Sequence, residues 1–126
     1  MQFYTQSIYY VKNKYNIIMN ESIKLEKICQ AIEKPWSPVD VLYLNNQVIR
    51  LALFEGEYHW HIHENEDELF YVIKGSITIK RRDQKEIIVK EGEMFLIPKR
   101  IEHKPISKNK SYVLLFEPFS TKSKGD

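Results

Sequence analysis

A single cysteine, Cys29, stands in this chain of 126 residues, so no disulfide can form within it and a reducing compartment is expected. No apolar run approaches the roughly 20 residues that a membrane-crossing helix requires. The N-terminus lacks a basic segment leading into an apolar one, which argues against secretion and leaves the cytoplasm as the expected location. Charge of one sign is missing too: 19 basic against 17 acidic residues leave a net +2, which selects no class of partner. Lys80, Arg81, Arg82 and Lys85 cluster on a predicted hairpin, where they discourage edge pairing. With no docking motif and no aromatic stacking platform beside them, nucleic acid is not an expected partner. There is no internal repeat, and no helix pair that could read DNA follows the β-rich region.

What the chain does have is enough length for one domain with its own core. Residues 1–20 are an awkward arm. Tyr4, Ile8, Tyr9, Tyr10 and Val11 are broken by Lys12, Asn13 and Lys14 and show no clean period. The arm reads as an addition to the domain, with a strand that pairs with a neighbouring subunit as the alternative. Residues 21–35 are predicted to be helical, with Asn20 as cap and Glu21 in the first turn. Leu25, Ile28, Cys29 and Ile32 form one stripe, which makes the helix a cover packed on a sheet and Cys29 part of the core. Lys34-Pro35 ends it.

From Val39 the pattern becomes short strands separated by turn signals. They are expected at Val39–Leu44, Gln47–Phe54, Tyr58–His63, Glu68–Ile73, Ser76–Arg81, Glu86–Val89, Met94–Ile97, His103–Ile106 and Tyr112–Phe116. Such spacing predicts an all-β sandwich or barrel over residues 36–118, and a jelly roll fits. Residues 119–126 read as a polar, frayed tail.

The most informative constellation is His61-x-His63-x4-Glu68, with Gly75 seven residues beyond the glutamate and His103 further on. Residues i and i+2 of a strand share a face, so His61 and His63 can aim two imidazoles at one point. The polar run Glu64-Asn65-Glu66-Asp67 can turn the chain, and Glu68 opens an apolar run that could return antiparallel beside them. The bland alternative is a pair of exposed strand histidines with a surface carboxylate. His59 shares the parity of His61 and is the candidate catalytic residue, as a proton shuttle or as a partner of a ligand; a histidine satisfied by backbone is its alternative.

These residues also carry a resemblance. The stretch from Gly56 to Gly75, with Trp60-His-Ile-His63 and Asp67-Glu-Leu-Phe-Tyr71, resembles the first motif of the cupin superfamily. Gly92-Glu-Met-Phe-Leu-Ile-Pro98 followed by His103 is similar to the second. Within the superfamily, the chain is similar to small single-domain cupins of the mannose-6-phosphate-isomerase-like type. The resemblance spans about Trp36 to Pro118 and implies a jelly-roll β-barrel with an N-terminal helix. It also implies that His61, His63, Glu68 and His103 are the ligands of one divalent transition metal: iron, manganese, nickel or zinc. Four such ligands leave positions open for water or substrate, so the ion is expected to be functional. Two departures stand out. Arg100 replaces the usual glycine two residues after Pro98, for which a rebuilt turn is expected, with a charge near the pocket mouth as the alternative; and Ser107 replaces an asparagine.

Two functions follow as expectations. One is a metal-dependent isomerase, lyase or dioxygenase acting on a small oxygenated molecule such as a sugar or organic acid. The other is a non-catalytic small-molecule-binding or sensor protein. Phe70 and Val72, sharing parity with Glu68, are expected to wall the pocket. A homodimer is the expected assembly.

Overall fold

The structure, a computed structural model, describes residues 22–126. The expected arm over residues 1–20 and the Asn20 cap lie outside them. Among these residues one helix, α1 (Leu25–Ala31), precedes seven strands: β1 (Val39–Leu44), β2 (Gln47–Glu57), β3 (Glu68–Lys74), β4 (Ser76–Arg81), β5 (Ile87–Lys90), β6 (Met94–Ile97) and β7 (His103–Pro118). All pairings between strands are antiparallel, in the order β1-β2-β7-β3-β6, with β4 joining β7 on one side and β5 on the other. The expected all-β fold is present, with its N-terminal helix shorter than predicted.

β7 organises the molecule. Its first part pairs with β4 and its second with β3, while β2 runs along its other edge. His103, Pro105, Ser107, Ser111, Val113, Leu115 and Glu117 are buried, and the residues between them are half-buried or exposed. Ala52 and Phe54 of β2, Phe70 and Val72 of β3, and Ile77 and Ile79 of β4 fill the interior with Val113 and Leu115. β2 is buried on its other face too, because Ile28, Cys29 and Ile32 of α1 pack on Val41, Leu51 and Leu53. A seven-residue helix is marginal in water. It persists because each buried aliphatic side chain contributes about 1.5–3 kcal/mol.

Three expectations fail for identifiable reasons. Lys108-Asn109 does not end a strand. Lys108, Asn109 and Lys110 are exposed in an irregularity of β7 opposite Phe54 and Gly56. Its base is closed by Ser107 Oγ and Ser111 Oγ at 2.8 Å, with Ser111 Oγ donating to the Ser76 carbonyl at 3.1 Å. Tyr58–His63 is not a strand either. Beyond Gly56 (φ +86°) it meets β7 through the Tyr58 N–H on the Pro105 carbonyl and a single bridge between His61 and His103. Its remaining backbone groups go elsewhere: the Ile62 carbonyl accepts the Asp126 N–H at 2.9 Å, and the His63 carbonyl accepts the Arg100 N–H at 2.8 Å.

The third failure is the tail. Residues 119–126 form a strap across the histidine segment rather than a frayed end. Besides the Asp126 contact, the Glu64 N–H donates to Asp126 Oδ2 at 2.7 Å, and Arg50 donates to the carbonyls of Phe119 and Thr121. Gly125 (φ +88°) lies so close to His61 that a Cβ there would sit 2.7 Å from the histidine Cβ. The strap uses the backbone groups that a further strand would have taken.

Candidate metal centre

His61, His63, Glu68 and His103 are all buried, and one ligand atom from each falls in a group within 4.8 Å of one another. Glu68 comes from the start of β3, His103 from the start of β7, and the other two from the strapped segment. Strand parity is therefore not what joins His61 to His63. The bridge to His103, the Arg100 turn and the tail do that work. Arg100 itself has φ +67°, so the expected rebuilt turn is absent: the arginine accepts the left-handed conformation, and its N–H holds the His63 carbonyl.

The backbone also sets the imidazole tautomers. His61 Nδ1 lies 3.0 Å from the His59 carbonyl and His103 Nδ1 lies 2.9 Å from the Ile101 carbonyl. Each Nδ1 thus carries the proton it donates, and each Nε2 is left as an acceptor. His63 Nε2 and His103 Nε2 stand 3.5 and 3.4 Å from Glu68 Oε1, and all three atoms are buried without a hydrogen-bond partner of good geometry. Adjacent ligands of an octahedral ion with bonds of about 2.1 Å lie roughly 3 Å apart. Orphaned donors of that chemistry at that spacing fit a divalent transition metal.

The electrostatics support the same use. Burial, reinforced by neighbouring His103, lowers His61 to about 4, so its ring is neutral and able to ligate. Burial works against a charge on His63 as well, but the nearby Glu68 carboxylate outweighs it and raises this imidazole above its ordinary range. Burial would raise Glu68. The close approach of His103, His63 and Glu117 prevails and holds it well below the usual carboxylate range.

Behind Glu68 lies a pair that sequence reasoning missed. Arg50 and Glu117 are buried, with Arg50 Nη1 2.8 Å from Glu117 Oε1 and Arg50 Nε 2.9 Å from Asp40 Oδ1. Glu117 Oε2 has no donor of its own yet lies against Glu68. Burial and the neighbouring Glu68, opposed by Arg50, raise Glu117 to about 9, so it keeps a proton beside the Glu68 carboxylate. The signal was available: both are charged residues at inward parity inside apolar strands.

Glu68 and His61 face a small cavity, partly open to solvent, whose walls include Trp36, Phe54, Tyr58 and Phe70. Phe70 walls the pocket as expected; Val72 is buried deeper in the core. His59 is exposed, its Nε2 2.9 Å from the Lys124 carbonyl and its ring against Tyr58. Trp60 lies under the Arg82 guanidinium, which also pairs with Glu102. Lys80 pairs with Glu86, so much of the basic cluster is neutralised locally.

The cupin domain family profile matches residues 50–117, the stretch that contributes all four candidate ligands and the Arg50–Glu117 pair. The chain is a cupin. Over 95 residues it is 33% identical to the Bacillus subtilis (strain 168) protein YdbB, covering 75% of this chain and 80% of that one. The crystal structure of a cupin-2 domain containing protein from Shewanella frigidimarina superposes with a TM-score of 0.74 at 36% identity, covering 76% of this cupin and 93% of that chain. Similarity extends to 3-hydroxyanthranilate 3,4-dioxygenase of Xenopus laevis, 35% identical over 86 residues, though the cupin spans only 30% of that enzyme. Hydroquinone 1,2-dioxygenase from Sphingomonas sp. TTNP3, solved with 4-hydroxybenzoate bound, shares the fold at 17% identity and a TM-score of 0.71, over 82% of this chain and 34% of that one.

Proposed function

We propose that this cupin is a metal-dependent enzyme of the dioxygenase type acting on a small oxygenated molecule. The observation that carries the reading is what the cavity contains besides the ligands. Its polar groups are His61 and Glu68, the Tyr58 hydroxyl, which burial holds protonated and which leans on the Ser123 carbonyl, and Ser123 itself. Isomerases and lyases need a free general base within reach of the substrate. None of the described cavity residues supplies one: Glu117 sits behind Glu68 and His59 lies outside, bonded to the tail. Dioxygenase chemistry makes less demand of that kind, because a bound transition metal supplies the activation of both dioxygen and substrate. The protein's own part is to present neutral imidazoles and one carboxylate, to keep Glu68 ionised through Glu117 and Arg50, and to exclude water with aromatic walls. Similarity to two dioxygenases supports the choice. Iron is the proposed metal and the cytoplasm the proposed compartment.

The test is oxygen uptake by iron(II)-loaded protein across a panel of sugars, hydroxy acids, diketones and dihydroxybenzenes, with metal content measured in parallel. Uptake with at least one compound is expected, lost together with the metal in His61→Ala and His63→Ala. No uptake with any of them, alongside isomerisation of a sugar by the same preparation, would overturn the reading.

A further inference from the structure

The cavity walls describe the molecule they suit. Trp36 has φ +59°, a left-handed conformation that costs a bulky residue roughly 1–2 kcal/mol. A turn alone would favour glycine or asparagine there. Instead the tryptophan is pinned twice, by its N–H on the Leu53 carbonyl and its indole N–H on the Glu55 carbonyl, each at 2.9 Å. Pro35 and Pro38 stiffen the approach on both sides. The outcome is an indole stacked on Tyr58, with centroids 4.9 Å apart and planes 25° apart, and in contact with Phe54 at 4.4 Å. Phe54 in turn meets Phe70 edge-on, and Tyr58 meets His61 edge-on. Backbone strain maintained by several independent contacts is a mark of function.

Charge narrows the choice further. Among the described residues, no lysine or arginine lines the cavity. A divalent ion beside Glu68 would leave one net positive charge at the floor, enough for hydroxyl oxygens that bind the metal. A second anionic group pointing away from the ion would be stripped of water against aromatic rings with no cation to meet it. Phosphorylated sugars and carboxylic acids are poor occupants on that ground.

We propose that the substrate of this site is a planar aromatic compound bearing hydroxyls on one edge and no remote charge, and that Trp36 is the residue that selects it. The inference rests on the proposed function only for the ion at the cavity floor. Flat rings gain offset or edge-on contacts with such walls beyond their buried area.

The test is equilibrium binding to zinc-loaded protein, in which no turnover occurs, with three probes. Catechol and 3,4-dihydroxybenzoate share the same dihydroxy edge and differ by a carboxylate; mannose 6-phosphate carries neither an aromatic ring nor neutrality. Catechol is expected to bind at least tenfold more tightly than either. Trp36→Ala should weaken catechol at least tenfold at unchanged zinc content, and Trp36→Phe should restore most of the loss. Equal or tighter binding of 3,4-dihydroxybenzoate or mannose 6-phosphate would overturn the proposal, as would a folded, zinc-bound Trp36→Ala with wild-type catechol affinity. Should the variants fail to fold, the wild-type panel still decides. Catechol binding without oxygen uptake by the iron form would sink the dioxygenase reading alone. Oxygen uptake with a sugar or acid, and no catechol binding, would sink this inference alone.

Discussion

Replacing Glu117 by glutamine separates two descriptions of the buried pair behind the candidate metal ligands. If Glu117 were ionised, it would form a buried salt bridge with Arg50, and neutralising it would leave the guanidinium short of a counter-charge at a cost of about 3–5 kcal/mol. The geometry favours a protonated Glu117, because Asp40 already pairs with Arg50 and the Glu68 carboxylate lies on the other side. Glutamine then conserves both interactions, accepting from Arg50 and donating to Glu68. A carboxyl raised from 4.5 to about 9 holds its proton in the folded state after the unfolded chain has released it. Its stabilising effect is complete below 4.5 and is lost as pH climbs towards 9. Each unit in that window costs the wild type up to ~1.4 kcal/mol relative to a variant with nothing to titrate. From pH 5 to pH 7 the Glu117→Gln variant should therefore gain on the wild type by up to roughly 3 kcal/mol. Urea denaturation of chelated protein at pH 5, 6, 7 and 8 measures this difference directly. A variant that loses ground as pH rises, or is destabilised by about 3 kcal/mol throughout, would show that Glu117 is ionised and refute the shared-proton arrangement.

Gly75→Ala should cost about 2–4 kcal/mol and lower the melting temperature sharply, because its φ is +97° and the new Cβ would fall 2.9 Å from the Ser111 Cα and closer still to its side chain. Arg100→Gly should raise stability by up to about 1 kcal/mol by relieving a φ of +67°; a loss larger than that in urea denaturation would mean the side chain has a contact of its own. Chelation should lower the melting temperature by several degrees while leaving one cooperative transition, since metal at a hundredfold excess over its dissociation constant adds about 2.7 kcal/mol. The gap between loaded and chelated protein should begin to close above the ordinary imidazole range, where His63 starts to hold a proton, and should vanish towards pH 4, where His61 follows. Light scattering should give twice the 15.1 kDa monomer mass, with Ile88, Met94 and Leu96 as exposed apolar candidates for the contact; a monomer mass at micromolar concentration would refute a homodimer.

Much of this protein was legible from local signals. Period-two patterning placed β1, β3, β4 and β6 closely, and the i, i+3, i+4 stripe found the face of α1, because both periods follow from the geometry of a single element. The metal-competent set was visible as residue types at fixed intervals. The rest depended on where distant backbone groups found partners. The histidine segment ceased to be a strand because the tail and the Arg100 turn took its hydrogen bonds, and nothing near Tyr58–His63 encodes a partner some sixty residues away. Glu117 acquires its proton only when folding sets it between Arg50 and Glu68 in a dry interior. The strain in Trp36 likewise becomes intelligible only once Leu53, Glu55 and Tyr58 surround it. Local residue choice determined the elements and the donor set. Long-range backbone pairing and desolvation, which exist only in the folded sheet, decided the shape of the site and the charge of the groups within it.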